Sequence, residues 1–215
     1  MAIDAETPFT PGWYLIQLEN RLVARRDGQG WSRLGWDRKG RPPLKLLDAH
    51  LRGDPPLPQA THAWQKNGMW EFIRSSRMNV AEMCVDAKAH KMVPLGFRTS
   101  ADSDRNGDGK AARIFKANQM DLGCADAFRD MLSLGNGYMI AGPPVDTGVA
   151  DPVPLITAES PFEVVTVDDA RTRKPVAGLK LFTDEWGEQE FAYLYLPGVL
   201  YVASRNVGTR GPVNW

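Results

Sequence analysis

Hydrophobic positions along the first two thirds of the chain recur at the helical spacing of three and four residues. They predict helices at 13–26, 44–51, 69–93 and 121–134, a helical turn at 111–117 and the start of a strand at 95–98. Gly135 suits the C-cap of the last helix, and a break near Asn79 would divide the longest helix in two. Because each helix carries an apolar stripe, each is expected to pack against another element.

After Pro152 the hydrophobic runs become short, which predicts β-structure. GYMIAG predicts an earlier strand at 137–142, and the later candidates are 163–167, 176–183, 189–196 and 199–205. The turn sequences DDARTRKP, EWGE and PG separate these later strands. A mostly helical N-terminal half followed by an antiparallel β meander predicts an α+β fold. Along the chain we expect an irregular arm (1–12), a mainly helical part (13–150) and a β-rich part (151–215).

Charge is balanced over the whole chain but not along it. The 215 residues contain 26 Lys and Arg and 26 Asp and Glu, whereas a free-standing DNA-binding domain usually carries a clear positive excess. Residues 1–120 hold 19 basic and 13 acidic residues, and residues 121–215 hold 7 and 13. This asymmetry predicts either head-to-tail attraction between copies of the chain or a chance imbalance between solvated faces.

The cysteines and the terminal sequence indicate an intracellular, soluble chain. Cys84 and Cys124 both lie in apolar helical patterns, which predicts buried free thiols because two lone cysteines provide no disulfide framework. The N-terminal sequence has neither the basic nor the apolar region of a signal peptide. No apolar run approaches the roughly 18 residues of a membrane span, so we expect no membrane partner and synthesis in a reducing cytoplasm.

Candidate cofactor motifs are incomplete. Asp102, Asp104, Asn106 and Gly107 match the opening of an EF-hand calcium loop, but cations (Lys110 and Arg113) stand at its ninth and twelfth positions. An exposed polar loop is therefore the better interpretation. The sequence from Gly107 to Ala111 lacks both the first glycine and the magnesium-binding hydroxyl of a phosphate loop. We expect neither a metal nor a cofactor.

No set of titratable residues has catalytic spacing. His90 follows Asp86 by four positions, which predicts a local ion pair on one helix face. The adjacent Asp168 and Asp169 follow a strand, where neighbouring side chains point to opposite faces, so they predict the start of a turn and not a shared carboxylate site. We therefore expect no catalytic residue and no enzymatic activity.

The segment WSRLGWDRKGR (31–41) is the strongest candidate for contact with another macromolecule. Its basic side chains can bind phosphate while its tryptophans stack on bases, or the tryptophans can anchor a protein interface instead. The candidate residues for either contact are Trp31, Arg33, Trp36, Arg38, Lys39 and Arg41. The protein interface is the favoured interpretation.

An ordered series of short phrases resembles the portal proteins of tailed bacteriophages, especially those of phages of actinobacteria. The most characteristic stretch runs from Phe115 to Tyr138, with an aromatic-x-x-Asn-x-x-Asp entry to a helix and a Leu-Gly-Asn-Gly-Tyr end. The resemblance covers roughly residues 13–205, and its phrases are Leu47–Pro58, Ser76–Ala87, Pro94–Arg98, Ile114–Asp121, Leu134–Tyr138, Glu159–Pro161 with Val164–Val167, and Leu194–Pro197.

The resemblance implies a structural subunit of the portal ring at one capsid vertex. Such a ring of about twelve subunits conducts double-stranded DNA during packaging and ejection and connects head to tail. Its partners would be other copies of the chain, the terminase packaging motor, the major capsid protein and the head–tail connector. The resemblance places the chain in the wing region, since segments matching the stem and clip do not follow. The virion is then the expected location, after assembly in the host cytoplasm.

A second function remains open on the residues alone. The chain would then be a soluble adaptor or DNA-binding protein that uses the Trp/Arg segment 31–41.

Overall fold

The structure, a computed structural model, describes residues 10–28, 42–56, 72, 75, 77–98, 107–144 and 152–207. The chain forms two compact units. Unit 1 joins residues 1–44 to residues 161–215, and unit 2 comprises residues 45–160. These units do not coincide with the linear division at residue 150, because the N-terminal helix belongs with the C-terminal strands.

Unit 1 contains a helix, α1 (Pro11–Asp27), and a four-stranded sheet. Pro11 begins α1 at a position where the missing N–H costs no hydrogen bond. Gly28 ends it in the left-handed region (φ 73°) and donates its N–H to the carbonyl of Ala24. Arg25 and Arg26 in the last turn suit the negative end of the helix dipole. The predicted helix at 13–26 is confirmed.

The sheet of unit 1 is an antiparallel meander in the order β3–β4–β5–β6. Its strands are β3 (Val164–Asp168), β4 (Pro175–Thr183), β5 (Gln189–Leu196) and β6 (Val199–Asn206). Leu179 of β4 lies opposite Leu194 of β5, and both are fully buried. All four strands agree with the predicted ones to within about a residue, so the predicted meander is confirmed.

The core of unit 1 lies between α1 and one face of this sheet. Three leucines at helical spacing on α1 (Leu15, Leu18 and Leu22) contact alternate residues of the strands. The buried strand residues are Val165, Ala177, Leu179, Ala192, Leu194 and Ala203. Burial of a single leucine side chain contributes about 1.5–3 kcal/mol. The contact between the apolar stripe of α1 and the sheet therefore provides the main stabilisation of unit 1.

Unit 2 combines helices with a two-stranded sheet. The described helices are α2 (Leu44–Leu51, which begins at the boundary), α3 (Val80–Ala89), α4 (Gly109–Ala117) and α5 (Met120–Leu134). β1 (Tyr138–Pro144) pairs antiparallel with β2 (Pro154–Glu159). The central element is α5, which packs against α3, α4 and β2.

The α+β class is confirmed: among the described residues, five helices precede the antiparallel strands. The long predicted helix at 69–93 is interrupted, because residues 77–79 are not helical and α3 begins only at Val80. The break expected near Asn79 is therefore confirmed. The strand expected at 95–98 is wrong, since residues 92–98 have no regular structure, and β2 was not predicted.

Candidate functional site

The residues predicted for contact with DNA or protein lie outside the described residues. This holds for all six: Trp31, Arg33, Trp36, Arg38, Lys39 and Arg41. The flanks of the segment are described, and Nη1 of Arg25 donates to the carbonyl of Pro42 at 2.6 Å. The end of α1 is thus joined to the residue that follows the Trp/Arg segment.

Asn118, in the most characteristic portal-like phrase, joins α4 to β2. Its Nδ2 donates to the carbonyls of Ile114 and Pro154 (both 2.9 Å), and its Oδ1 accepts from the N–H of Ile156 at 2.8 Å. The amide thus takes the place of a peptide group beside β2. The next residue, Gln119, has a left-handed backbone (φ 50°) that turns the chain into α5. Asn118 therefore fixes the junction between two helices and a strand.

Replacing Asn118 with alanine is expected to destabilise the protein by about 2 kcal/mol, because the part-buried groups of Pro154 and Ile156 lose their partner. Urea denaturation followed by circular dichroism measures the effect. Asn118→Asp keeps the acceptor for Ile156 but places a carboxylate oxygen against the carbonyls of Ile114 and Pro154 at the C-terminus of α4, so it should lose at least as much stability as the alanine variant. Equal stability of both variants and the parent would contradict this role.

Arg129 of α5 holds α3 through two carboxylates. Its Nε donates to Asp86 and its Nη2 to Glu82, both at 3.0 Å. Glu82 also accepts from Nδ2 of Asn79 (2.6 Å), while its own N–H donates to Oδ1 of Asn79, so Asn79 caps the N-terminus of α3. The predicted pair between Asp86 and His90 is wrong, because the Asp86 carboxylate binds Arg129 and His90 donates its backbone N–H to the Asp86 carbonyl.

The ion cluster of Arg129, Asp86 and Glu82 has a structural role. The hydrogen bond to Asp86 and the charges of both carboxylates raise the pKa of Arg129 above its ordinary value despite the opposing effect of burial. An arginine with a raised pKa does not exchange its proton near neutral pH. Arg129 therefore stays charged and orients α3 against α5.

Asp130 is electrostatically unfavourable where it lies. Burial raises its pKa most, the carboxylate of Asp126 raises it further, Arg129 lowers it, and Asp48 adds the smallest increase. Because the folded-state pKa exceeds the unfolded one, the folded protein binds the proton more tightly. The ionised Asp130 carboxylate therefore destabilises the fold only as the pH rises through the raised pKa, and not at low pH.

Asp130→Asn is therefore expected to stabilise the protein at neutral pH by less than about 1 kcal/mol, since solvent screens a half-exposed group. The gain should vanish when unfolding is measured below the ordinary pKa of aspartate. Asp121→Asn, at an exposed site in the first turn of α5 where a negative charge suits the helix dipole, is the control and should not stabilise. A pH-independent gain for Asp130→Asn would disprove the assignment.

A second three-residue ion cluster lies in unit 1. Arg205 of β6 donates through Nε to Glu190 of β5 and through Nη2 to Glu19 of α1, at 2.5 Å in each case. Burial lowers the pKa of Arg205, but the hydrogen bonds and charges of the two glutamates outweigh it and leave the pKa raised. The adjoining cavity, lined in part by Leu15 and Leu181, has a volume of about 10 Å³, the space of roughly one water molecule. It cannot admit a substrate.

The remaining acidic candidates serve turns and helix ends. Asp169 accepts from the N–H of Arg171 and the hydroxyl of Thr172, and these bonds lower its pKa. The predicted turn start at Asp168 and Asp169 is thus confirmed. Asp108 accepts from the N–H groups of Lys110 and Ala111 and caps α4. Residues 99–106, which hold most of the calcium-like sequence, lie outside the described residues.

The two cysteines differ in exposure. Both thiols are free. Cys124 is buried as predicted, and burial, with a smaller contribution from Asp121, raises the pKa of its thiol and makes it unreactive. The prediction is wrong for Cys84, which is exposed because α3 is apolar on both faces and only the face towards α5 is covered.

Within the described ranges, no three His, Cys, Asp or Glu residues are grouped so that they could hold a metal ion. None of the described helices is long and apolar enough to cross a bilayer.

Exposed apolar side chains occur on both units. In unit 2 they include Leu95 and Met78, which are 99% and 79% exposed. In unit 1 the most exposed is Trp186, at 84%, in the turn between β4 and β5. Sequence reasoning identified this turn only as a strand separator. The signal that it missed was a tryptophan between acidic residues, where a turn alone needs only polar residues and glycine.

Charge is evenly divided between the two units. Unit 1 contains 13 basic and 12 acidic residues, and unit 2 contains 13 and 14. The asymmetry between residues 1–120 and 121–215 therefore does not become an asymmetry between units. Any electrostatic attraction between copies of the chain has to come from smaller patches.

No protein-family model matches the chain, and a search of curated proteins finds no significant match.

Proposed function

We propose that the chain is a structural subunit of a tailed-phage portal ring and forms part of its wing region. The single observation that carries this proposal is the ordered series of portal-like phrases between Leu47 and Pro197. In this function the ring stands at a capsid vertex, conducts double-stranded DNA during packaging and ejection, and connects head to tail. Its partners are further copies of the chain, the packaging motor, the capsid protein and the head–tail connector.

The positions of the phrase residues in the fold support a structural function. Asn79 caps α3, Asn118 connects α4 to β2, and Gly137 gives β1 room to leave α5. Each of these residues sets backbone geometry and none belongs to a cluster with acid–base or nucleophilic chemistry. Residues that fix backbone geometry in this way are expected in a protein that functions by assembly.

The native mass of the chain tests the proposal first. Light scattering coupled to size exclusion, with negative-stain images of any large species, is expected to reveal closed rings. Complementation of a phage that lacks its portal gene, with the complete gene from which this chain derives, is expected to restore DNA packaging. A monomer up to about 100 µM together with failed complementation would contradict the proposal.

The adaptor or DNA-binding function is the second candidate, favoured by the Trp/Arg composition of residues 31–41. It requires DNA affinity that falls steeply with salt concentration. Fluorescence anisotropy with a duplex should then detect binding that Arg33→Ala and Arg38→Ala abolish. Binding that survives both substitutions would exclude this segment as the DNA contact.

A further inference from the structure

The turn between β4 and β5 is an ordered tip. Asp184 accepts from the N–H groups of Glu188 (2.8 Å) and Gln189 (3.2 Å), and its own N–H donates to the carbonyl of Gln189 at 2.9 Å. Gly187, in the left-handed region at φ 71°, donates to the carbonyl of Asp184. The turn is thus held by its own hydrogen bonds. Its geometry does not depend on what Trp186 contacts.

Trp186 stands at the end of this tip and is 84% exposed. Leaving so large an apolar side chain in water forgoes the stabilisation that its burial would provide. Its neighbours Glu185 and Glu188 are exposed as well and, with Asp184, make the tip acidic. We call residues 184–188 the acidic tip. An aromatic anchor with a charged rim is the arrangement that protein interfaces use.

A surface of opposite character lies in unit 2. Where α3 ends, the chain runs through residues 88–98 and exposes basic side chains on both sides of a group of apolar ones. Leu95 is 99% exposed, Val93 60% and Phe97 40%, and the exposed basic residues are Lys88, Lys91 and Arg98. We call residues 88–98 the basic strip. No ion pair with another described residue neutralises these three cations.

We propose that the acidic tip of one copy of the chain docks on the basic strip of a second copy. Trp186 would pack against Val93 and Leu95, while Glu185 and Glu188 would approach Lys88 and Lys91. Contact between the apolar groups supplies affinity, and the three acidic and three basic residues supply orientation and selectivity.

The charge complementarity argues for a second copy as the occupant. Both surfaces belong to one chain, one on each unit, and their formal charges of −3 and +3 are equal and opposite. Because the surfaces differ, the contact is heterologous: the copy that docks through its tip keeps a free strip, its partner keeps a free tip, and further copies can add at either end. This deepens the proposed function and rests on it in one respect, since both require copies of the chain to associate.

Two variants, each defective in one surface, test the docking. The tip variant carries Trp186→Ala and Glu185→Lys, and the strip variant carries Leu95→Asp and Lys91→Glu. All four sites are exposed, so circular dichroism and thermal unfolding should match the parent. Leu122→Asp, at a 68% exposed apolar site of α5 outside both surfaces, is the control. Analytical ultracentrifugation over a concentration series gives the stoichiometry.

The parent and the Leu122→Asp control are expected to form species larger than dimers. Each defective variant alone should associate at least about tenfold more weakly. An equimolar mixture should form one-to-one dimers and nothing larger, because only the strip of the tip variant and the tip of the strip variant remain competent. No other pair of surfaces produces this pattern.

Three results would overturn the docking: a parent that stays monomeric, a tip variant that assembles like the parent, or a mixture that stays monomeric. If the two surfaces bind a different protein and not a second copy of the chain, the mixture also fails to dimerise. Rings that persist in the tip variant would overturn the docking but leave the portal function standing. One-to-one dimers combined with failed complementation would overturn the portal function but leave the docking standing.

Discussion

Gly137→Ala is expected to destabilise unit 2 by at least about 3 kcal/mol. A Cβ atom at this position would lie 2.3 Å from the carbonyl oxygen of Ala127 and 3.2 Å from its carbonyl carbon. Both atoms belong to the backbone of α5, which packs against α3, α4 and β2 and cannot shift by itself. Removing this steric clash would therefore require the β1–β2 hairpin to move away from α5. Chemical denaturation followed by circular dichroism should show a large fall in the midpoint.

Two other glycines provide matched controls. Gly142, in β1 of the same hairpin, has only the Leu155 carbonyl oxygen nearby at 3.9 Å, so Gly142→Ala should change stability by less than about 0.5 kcal/mol. Gly135 has open space but a left-handed backbone (φ 82°), so Gly135→Ala should cost about 1 kcal/mol. If all three alanine variants lose the same stability, the close approach at Gly137 is not the cause.

Arg205→Met is expected to destabilise unit 1 by about 2–4 kcal/mol. The substitution keeps much of the side-chain length but leaves Glu19 and Glu190 facing each other without their shared cation. All three side chains are only about a quarter exposed, so water replaces the lost partner poorly. The effect should be measured as the change in the free energy of unfolding in urea.

The origin of this loss can be tested by removing the carboxylates as well. The triple variant Glu19→Gln, Glu190→Gln and Arg205→Met should recover part of the stability, because no uncompensated charge remains. Arg52→Met is the control: its pair with Asp48 is four residues away on a helix and Arg52 is 76% exposed, so less than about 0.5 kcal/mol should be lost. A triple variant as unstable as Arg205→Met would assign the loss to packing.

The β meander could be predicted because its determinants are local. The central strands β4 and β5 bury alternate residues, and turn residues such as Asp169 and Gly198 separate neighbouring strands. Pairing between consecutive strands then requires no long-range information. The same holds for α1, whose leucines, first-turn proline and C-terminal glycine all lie within one segment.

Elements fixed by distant contacts could not be predicted in the same way. β2 is positioned by Asn118, 36 and 38 residues before its partners Pro154 and Ile156. The exposure of Cys84 was missed because the apolar pattern of α3 surrounds the helix and does not show which face is covered. By contrast, the break near Asn79 was expected from the sequence, and its cause is local: the Asn79 side chain accepts the N–H of Glu82 and begins α3.

The candidate surfaces also differ in how far they could be recognised from the sequence. The Trp/Arg segment 31–41 was identifiable from composition, and its role stays a prediction. The basic strip contains the phrase Pro94–Arg98, but the exposure of its apolar side chains depends on the irregular backbone that follows α3. The acidic residues around Trp186 were a signal in the sequence, but the exposure of its side chain became clear only in the structure, where Asp184 holds the turn. A tryptophan that is buried and one that is displayed look alike in a sequence.

The discontinuity of unit 1 has a consequence for synthesis on the ribosome. α1 is made early, but the strands that cover its leucines begin at Val164, after all of unit 2 has been translated. At a translation rate of about 5–20 residues per second, the apolar stripe of α1 remains uncovered by the sheet for several seconds or longer. Unit 2 is continuous and has no such delay. Nascent α1 is therefore the segment of this chain most in need of a chaperone.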